Sequence, residues 1–148
     1  MTKAPSVSRA ARAAVDEHLQ LRRLVGQVEQ AFSRPEPHEA VGPDVVAARL
    51  DELRGPLGAH FDEEERAGLF EQIEIEAPEH ASLCARLRGE HETILRRLDT
   101  LRSTNPIERR RPFWITEVRH LLDEVHGHES RETELLTRAL DRATPAGD

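Results

Sequence analysis

The sequence contains few of the residues on which several classes of protein depend. Its 148 residues include one cysteine and no tyrosine, and aromatic residues make up 3% of the chain. A single thiol excludes an intramolecular disulfide and any zinc or iron–sulfur site built from cysteines, and it suits a reducing cytoplasm. So few aromatic side chains offer no stacking platform for nucleic-acid bases. These absences argue against a disulfide scaffold and a nucleic-acid-binding surface.

Long apolar runs and excess positive charge are also absent. No stretch approaches the length needed to span a bilayer, and the formal net charge of −7 would repel a phosphate backbone. The first fifteen residues are basic and lack the apolar core of a secretory signal. Such a start also fits a transit peptide, but it runs into a helical pattern that begins at Ala14 or earlier. We therefore expect a cytoplasmic protein that binds neither nucleic acid nor membrane.

What the chain does contain is typical of a helical protein. Charged residues make up 33% and hydrophobic residues 37% of it. Proline and glycine divide it into four long periodic segments, which predict helices at about 6–32, 43–67, 78–102 and 112–140. No segment shows the alternation of a strand. The length suits one domain over residues 1–148.

Each predicted helix carries an apolar stripe with alternating spacings of three and four residues. Such stripes, joined by short connections, predict an all-α, antiparallel, up-down-up-down four-helix bundle. Every stripe includes one histidine, and two stripes add a glutamate one turn later: His18, His60, Glu64, His91, His128 and Glu132. At about 1.5 Å per residue, the four histidines should lie within one turn of the same depth.

Glu64 and Glu132 lie on stripes that carry no lysine or arginine. A buried carboxylate without a cation costs several kcal/mol or must stay protonated. A pair of divalent metal ions would neutralise both acids, and neutral imidazoles would supply the other donors, a set that suits iron, manganese or zinc. We therefore predict a dinuclear metal site. A hydrogen-bonded or protonated polar core layer is the alternative.

The remaining polar residues are predicted to lie outside the site. His120 and Glu124 share the same i,i+4 spacing, but their face is not the buried one. Glu129 lies near the core edge and is a candidate acceptor for an imidazole N–H. Two further groups are predicted to face solvent: the histidines His38, His80, His120 and His126, and the acids Asp62, Glu63 and Glu65.

Other residues receive a structural interpretation. The second helix is expected to bend at Pro56 without ending, because its stripe continues beyond that residue, and to kink or end near Gly68. Cys84 is expected to be a small buried core residue. Phe113 and Trp114 are expected to close one end of the bundle.

Four segments resemble the hemerythrin-like (HHE) domains, and together they cover most of the chain. They are EHLQLRRLV with His18, HFDEEERAGLF with His60 and Glu64, GEHETILRRL with His91, and HESRETELL with His128 and Glu132. The resemblance implies a non-haem di-iron centre. In it Glu64 and Glu132 bridge two iron ions, the histidines cap them, and an oxo or hydroxo group forms a further bridge. Manganese and zinc suit the same ligands.

One position departs from the family pattern. The O2-carrying members have a second histidine one turn after the third-helix ligand, where this chain has Leu95. Two six-coordinate ions have about twelve positions, of which two carboxylates, four imidazoles and a bridging oxygen fill roughly ten. Two positions would stay open, as in family branches implicated in iron or oxygen sensing. The departure disfavours simple reversible O2 carriage.

We therefore expect a module that binds or senses O2, NO or peroxide. The alternatives are a peroxidase-like di-iron oxidoreductase, an iron-sensing or storage protein, and a structural bundle with zinc or a protonated polar layer. No acid or base beyond the ligands marks a substrate pocket, so the oxidoreductase is the weaker hypothesis. A sensor without an output domain would need a separate protein partner.

Overall fold

The computed structural model describes residues 7–32 and 42–143, which are helical almost throughout. A 3-10 turn at Pro78–His80 precedes the fourth of the α-helices, whose bounds are α1 Val7–Phe32, α2 Pro43–Arg66, α3 Leu69–Glu76, α4 Ala81–Arg102, α5 Pro106–Arg109 and α6 Pro112–Ala143. No strand occurs in these ranges, which confirms the all-helical prediction. None of the helices described has both the length and the apolar character that crossing a bilayer requires.

The four long helices pack in a closed order. Helix α1 contacts α2 and α6, and α4 contacts the same two helices. Their buried side chains form two apolar clusters. The first contains Leu57, Ile94 and Val125, and the second contains Leu87 and Leu135. Along α1 and α4 the chain passes from the second cluster to the first. Along α6, and from α2 into α3, it passes from the first cluster to the second.

The region around Gly68 differs from the prediction in one respect. Helix α2 continues through Pro56, as predicted, and ends just before Gly68. Gly68 has a left-handed backbone (φ +69°), which a residue without a Cβ adopts most easily, and it redirects the chain into α3. The prediction missed α3 because its apolar residues leave the stripe of α2. Phe70 and Ile73 of α3 are buried in the second cluster.

Phe113 and Trp114 were both expected to close one end of the bundle, and only Trp114 is buried. Trp114 is buried and donates from Nε1 to the Leu101 carbonyl at 3.1 Å. Phe113 is 73% exposed, so the expectation that it also closes the bundle end is wrong. Neighbouring helical residues point about 100° apart, so burying Trp114 turns Phe113 outward. Cys84 is buried as expected, and that burial raises the pKa of its thiol to about 11.

Candidate metal centre

A layer of buried polar side chains separates the two apolar clusters. Its members come from all four long helices, and each is at most 5% exposed: His18, His60, Glu64, His91, His128 and Glu132. The i,i+4 spacing places His60 and Glu64 on one face of α2, and His128 and Glu132 on one face of α6. The structure therefore brings together all six residues that the sequence singled out.

Glu132 lies between two pairs of histidines. Its Oε1 is 2.8 Å from Nε2 of His18 and 3.8 Å from Nε2 of His60. Its Oε2 is 2.9 Å from Nε2 of His128 and 3.6 Å from Nε2 of His91. The two oxygens of this one carboxylate therefore face different imidazoles.

Glu64 repeats the pattern. Its Oε1 contacts Nε2 of His60 and lies 3.7 Å from Nε2 of His18, and its Oε2 lies 3.5 Å from Nε2 of His91. The ligand atoms therefore fall into two clusters, within each of which all lie within 4.8 Å of one another: His18, His60, Glu64 and Glu132 in one, and His91, His128 and Glu132 in the other. Each cluster could hold a metal ion, and Glu132 belongs to both.

Each imidazole turns its other nitrogen, Nδ1, outward to an oxygen acceptor. The acceptors are Glu17 for His60 (2.5 Å), Glu65 for His91 (3.3 Å), Glu90 for His128 (3.1 Å) and Thr133 for His18 (3.2 Å). An Nδ1–H that donates outward leaves the Nε2 lone pair directed inward, which is the tautomer a metal ligand needs.

The outer acceptors were not predicted, and the predicted one is not among them. Glu129 is 3% exposed, and neither of its carboxylate oxygens has a hydrogen-bond partner, although Nε of Arg22 lies 3.9 Å from Oε2. Burial raises its pKa. Glu65 is exposed, as predicted, but it also reaches His91. Asp62 and Glu63 are exposed as predicted.

The outer acceptors share a position in the sequence, although exposed acids such as Glu63 and Glu92 occupy the same position without reaching an imidazole. Each one directly flanks an inner donor on its own helix and reaches the imidazole of a neighbouring helix. Glu17 precedes His18, and Glu90 precedes His91. Thr133 follows Glu132 in the same way. A residue beside the buried stripe lies at the helix–helix boundary, so a long or polar side chain there can reach across it.

The predicted surface histidines show no such convergence. His120 is exposed, and His126 is half-exposed and pairs with Glu29 at 2.5 Å. His80 lies in the 3-10 turn before α4. His38 falls outside the residues that the structure describes.

Several atoms of the polar layer lack a hydrogen-bond partner. Among the described residues they include His60 Nε2, His91 Nε2, His128 Nε2, both oxygens of Glu64 and Oε2 of Glu132. When the imidazole N–H groups are turned outward, the inward Nε2 atoms and the carboxylate oxygens present only lone pairs to one another. An unsatisfied buried polar group costs about 1–3 kcal/mol. The centre therefore needs positive charge, and its nitrogen and oxygen donors fit divalent transition metals.

Without a metal ion, protons supply that charge. Burial lowers the pKa of His18, but the neighbouring carboxylates of Glu132 and Glu64 outweigh burial and raise it to about 9. The same balance raises the pKa of His91 to about 9 and that of His60 to about 10. Burial acts to raise the pKa of Glu132, but the surrounding imidazoles lower it well below its usual value. A bound metal ion would displace these protons.

Aromatic rings cover one side of the centre. The buried Phe61 stacks on His91 with ring centroids 4.0 Å apart and an interplanar angle of 9°, and its ring lies 5.2 Å from that of His128. Phe70 lies 5.7 Å from His91. Phe61 was not predicted because it lies beside the stripe of α2. Its ring shields the imidazoles from water.

Comparison with known protein families agrees with this arrangement. The profile of the hemerythrin HHE cation-binding domain matches residues 10–140, a range that contains all six side chains of the polar layer. No curated protein and no solved structure matches the chain.

Proposed function

The chain belongs to the hemerythrin HHE cation-binding domain family, and we propose that it is a non-haem di-iron protein that binds or senses O2 or a related small ligand. The observation that supports two ions is the division of each buried carboxylate. One oxygen of Glu64 and of Glu132 faces the imidazoles of α1 and α2. The other oxygen of Glu64 faces the imidazole of α4, and that of Glu132 faces the imidazoles of α4 and α6. Carboxylates arranged in this way can bridge two ions.

The proposed ligands are the six residues of the polar layer: His18, His60, Glu64, His91, His128 and Glu132. Their donor set also suits manganese and zinc. We propose iron with a bridging oxo or hydroxo group because O2, NO and peroxide, the small molecules that the centre is proposed to bind, are redox-active or coordinate strongly. A bound pair of ferrous ions would supply the electrons and the open coordination positions that O2 binding requires.

The chain's own residues hold the donors and exclude water. The outer acceptors keep the imidazoles in one tautomer, and Phe61 closes the side nearest His91. Leu95 is half-buried and packs against the first apolar cluster. Because Leu95 replaces a further histidine of the O2-carrying members, it favours open positions and a role in sensing or binding over simple carriage.

We also propose that the four long helices form an up-down-up-down bundle. The chain passes from the second apolar cluster to the first along α1 and α4, and from the first to the second along α6 and from α2 into α3. Each helix packs against neighbours of the opposite direction. This alternation supports an antiparallel order in which all four histidines reach one level.

The cytoplasm is the compartment we propose, because the single cysteine, Cys84, is a buried thiol that suits reducing conditions.

Metal analysis and optical spectra of anaerobically purified protein, before and after air, test the proposal. We expect two irons per chain and a reversible spectral change with O2 or NO. Irreversible consumption of peroxide would instead favour the oxidoreductase, and protein that binds no iron would contradict both.

A pair of variants tests the bridging role. Glu132→Gln is expected to lose at least one iron per chain. Glu129→Gln is the matched control, because Glu129 is equally buried on the same helix but lies outside both donor clusters. Full iron retention by Glu132→Gln would contradict the assignment.

A further inference from the structure

Two clefts lie between α1 and α2, and each is lined by a proposed ligand. The larger, about 500 Å³, has His60 in its wall, and the smaller, about 190 Å³, has Glu64. Glu17 and Glu63 line both clefts. We call the region that these four residues line the α1/α2 groove. It joins the protein surface to the polar layer.

The buried carboxylate at the floor of this groove is suited to receive a cation. Glu64 is 3% exposed, and neither of its carboxylate oxygens has a hydrogen-bond partner. Above it, Glu63 is exposed and Glu17 is half-exposed. Arg9 also lines the smaller cleft, but the carboxylates outnumber it. Clefts lined mainly by one sign of charge concentrate ions of the opposite sign.

We propose that divalent metal ions reach the centre through the α1/α2 groove, attracted by Glu63 and Glu17 and received first by Glu64. This inference rests on the proposed function, since the cation is the metal ion of the centre. Glu17 has a second contact that suits this path, because its carboxylate also accepts the Nδ1–H of His60. It therefore connects the mouth of the groove to a proposed ligand.

A second groove, between α2 and α4, suits the same task less well. Its cleft of about 360 Å³ is lined by His91, Arg54 and three acids, Asp62, Glu65 and Glu92, so its charge resembles that of the α1/α2 groove. Phe61 covers the ring of His91 there. Glu65 accepts from Nδ1 of His91 as Glu17 accepts from Nδ1 of His60, so this contact does not distinguish the two grooves. Glu64 does not line this cleft, so no unpartnered carboxylate oxygen is offered to an arriving cation.

A change in the charge of the groove tests this path. The experiment follows Co²⁺ uptake by the metal-free protein with stopped-flow visible absorption. We expect Glu63→Lys to slow uptake by about threefold to tenfold at low ionic strength. The effect should shrink as salt is added, because salt screens surface charges. Glu92→Lys is the matched control, since it places the same charge change on an exposed residue of the other groove. Its uptake rate should stay close to that of the wild type.

A steric variant tests the path independently of charge. Ala67 is exposed and lines the smaller cleft, so Ala67→Trp should obstruct it without filling the core. An obstruction raises the barrier in both directions. Uptake and chelator-driven release should therefore slow by the same factor while the Kd for Co²⁺ stays unchanged. Thermal unfolding of each variant checks that it is folded.

The outcomes separate this inference from the proposed function. If the wild type binds two Co²⁺ ions but Glu63→Lys and Ala67→Trp take them up at the wild-type rate, the path is overturned and the centre stands. Slower uptake in Glu92→Lys with normal uptake in Glu63→Lys would assign the path to the other groove. A wild type that binds no Co²⁺ would overturn both proposals.

Discussion

At the scale of single residues, Glu90 shows how a side chain outside the donor set can control metal affinity. It accepts hydrogen bonds from Nδ1 of His128 and from Nη2 of Arg131, the latter at 2.8 Å. Burial acts to raise the pKa of Glu90, but these two partners outweigh it and lower the pKa. Glu90 is therefore an ionised acceptor that fixes the ring of a proposed ligand.

We expect Glu90→Ala to weaken metal binding by about 10-fold to 100-fold, because His128 loses the acceptor that sets its tautomer and orientation. Competition between the protein and a chelator for Co²⁺ measures the change. Glu92→Ala serves as the control, since Glu92 lies two residues along the same helix and pairs with Arg96 on the surface. Equal affinities for the two variants would contradict the role of Glu90.

Glu129 differs from Glu90 because its pKa is raised and not lowered. It is buried without a hydrogen bond, and burial raises its pKa, so its charged form is disfavoured in the folded chain. When folding raises the pKa of an acid, the folded protein loses stability as the pH rises above the pKa of that acid in the unfolded chain. We expect Glu129→Leu to raise the free energy of unfolding by about 1–3 kcal/mol at neutral pH, and by less near pH 4. Urea unfolding at the two pH values measures this; a destabilised variant at neutral pH would show that Glu129 has a stabilising partner.

The residues also show where prediction from sequence stops. The six inner side chains could be predicted because an uncompensated acid or a histidine on an apolar stripe is conspicuous. Glu17 and Glu65 could not, because an exposed acid looks the same whether it faces water or bends toward an imidazole. Phe61 was missed for a related reason, since its position lies beside the stripe. Contacts across a helix boundary depend on how two helices are rotated, which periodicity within one helix does not determine.

At the scale of the helix, two glycines test how the helices and their ends are built. Gly89 lies within α4, and a Cβ built there meets nothing within 4 Å. Gly68 has a φ of +69° between α2 and α3. The same substitution should therefore have opposite effects. We expect Gly89→Ala to raise the free energy of unfolding by about 0.5–1 kcal/mol through helix propensity.

Gly68→Ala should lower the free energy of unfolding by about 1–2 kcal/mol, since a residue with a Cβ is strained in the left-handed region. Thermal unfolding of both variants in the metal-free state provides the comparison. A stabilising effect of Gly68→Ala would mean that α2 can continue past residue 68 and that α3 is not set by this turn.

The helices themselves were predictable to different degrees. The four long ones follow from an unbroken apolar period of three and four residues, and α2 continues through Pro56 because its stripe does. Helix α3 was missed because eight residues give too few turns to establish a period once Gly68 has changed its phase. The even shorter α5 depends on a local cap, in which Asn105 accepts from the Glu108 amide at 2.9 Å.

At the scale of the whole molecule, the polar layer divides the core into two apolar clusters and draws one histidine from each long helix. A metal ion bound there links helices that are far apart in sequence, so metal binding and folding are coupled. A ligand that binds only the folded chain adds stability by mass action, about 4.1 kcal/mol at a thousandfold excess over its Kd. Removing the metal should therefore lower Tm without abolishing the helical fold, because protons then compensate the two carboxylates.

That exchange of protons for metal predicts how stability depends on pH. In the metal-free chain, the pKa values of His18 and His91 are about 9 and that of His60 is about 10, against an ordinary value of 6.5. Groups whose pKa is raised by folding contribute stability that is complete below pH 6.5 and is lost as the pH rises through 9 to 10. We therefore expect the Tm of the metal-free chain to fall across this window.

The metal-loaded chain should behave differently over the same window, because a metal ion needs deprotonated imidazoles and competes with protons for them. Its binding strengthens as the pH rises, so the difference in Tm between loaded and metal-free protein should widen as the pH rises toward 9 to 10, where the imidazoles lose their protons. Thermal unfolding at a fixed free Co²⁺ concentration and in excess chelator, repeated at each pH, measures both curves. The His126→Ala variant, which removes a histidine outside the polar layer, should leave the widening unchanged, whereas His91→Ala should reduce it. Parallel curves for the wild type would show that protons and metal do not share these side chains, and the six residues would then be a polar core layer held together by hydrogen bonds.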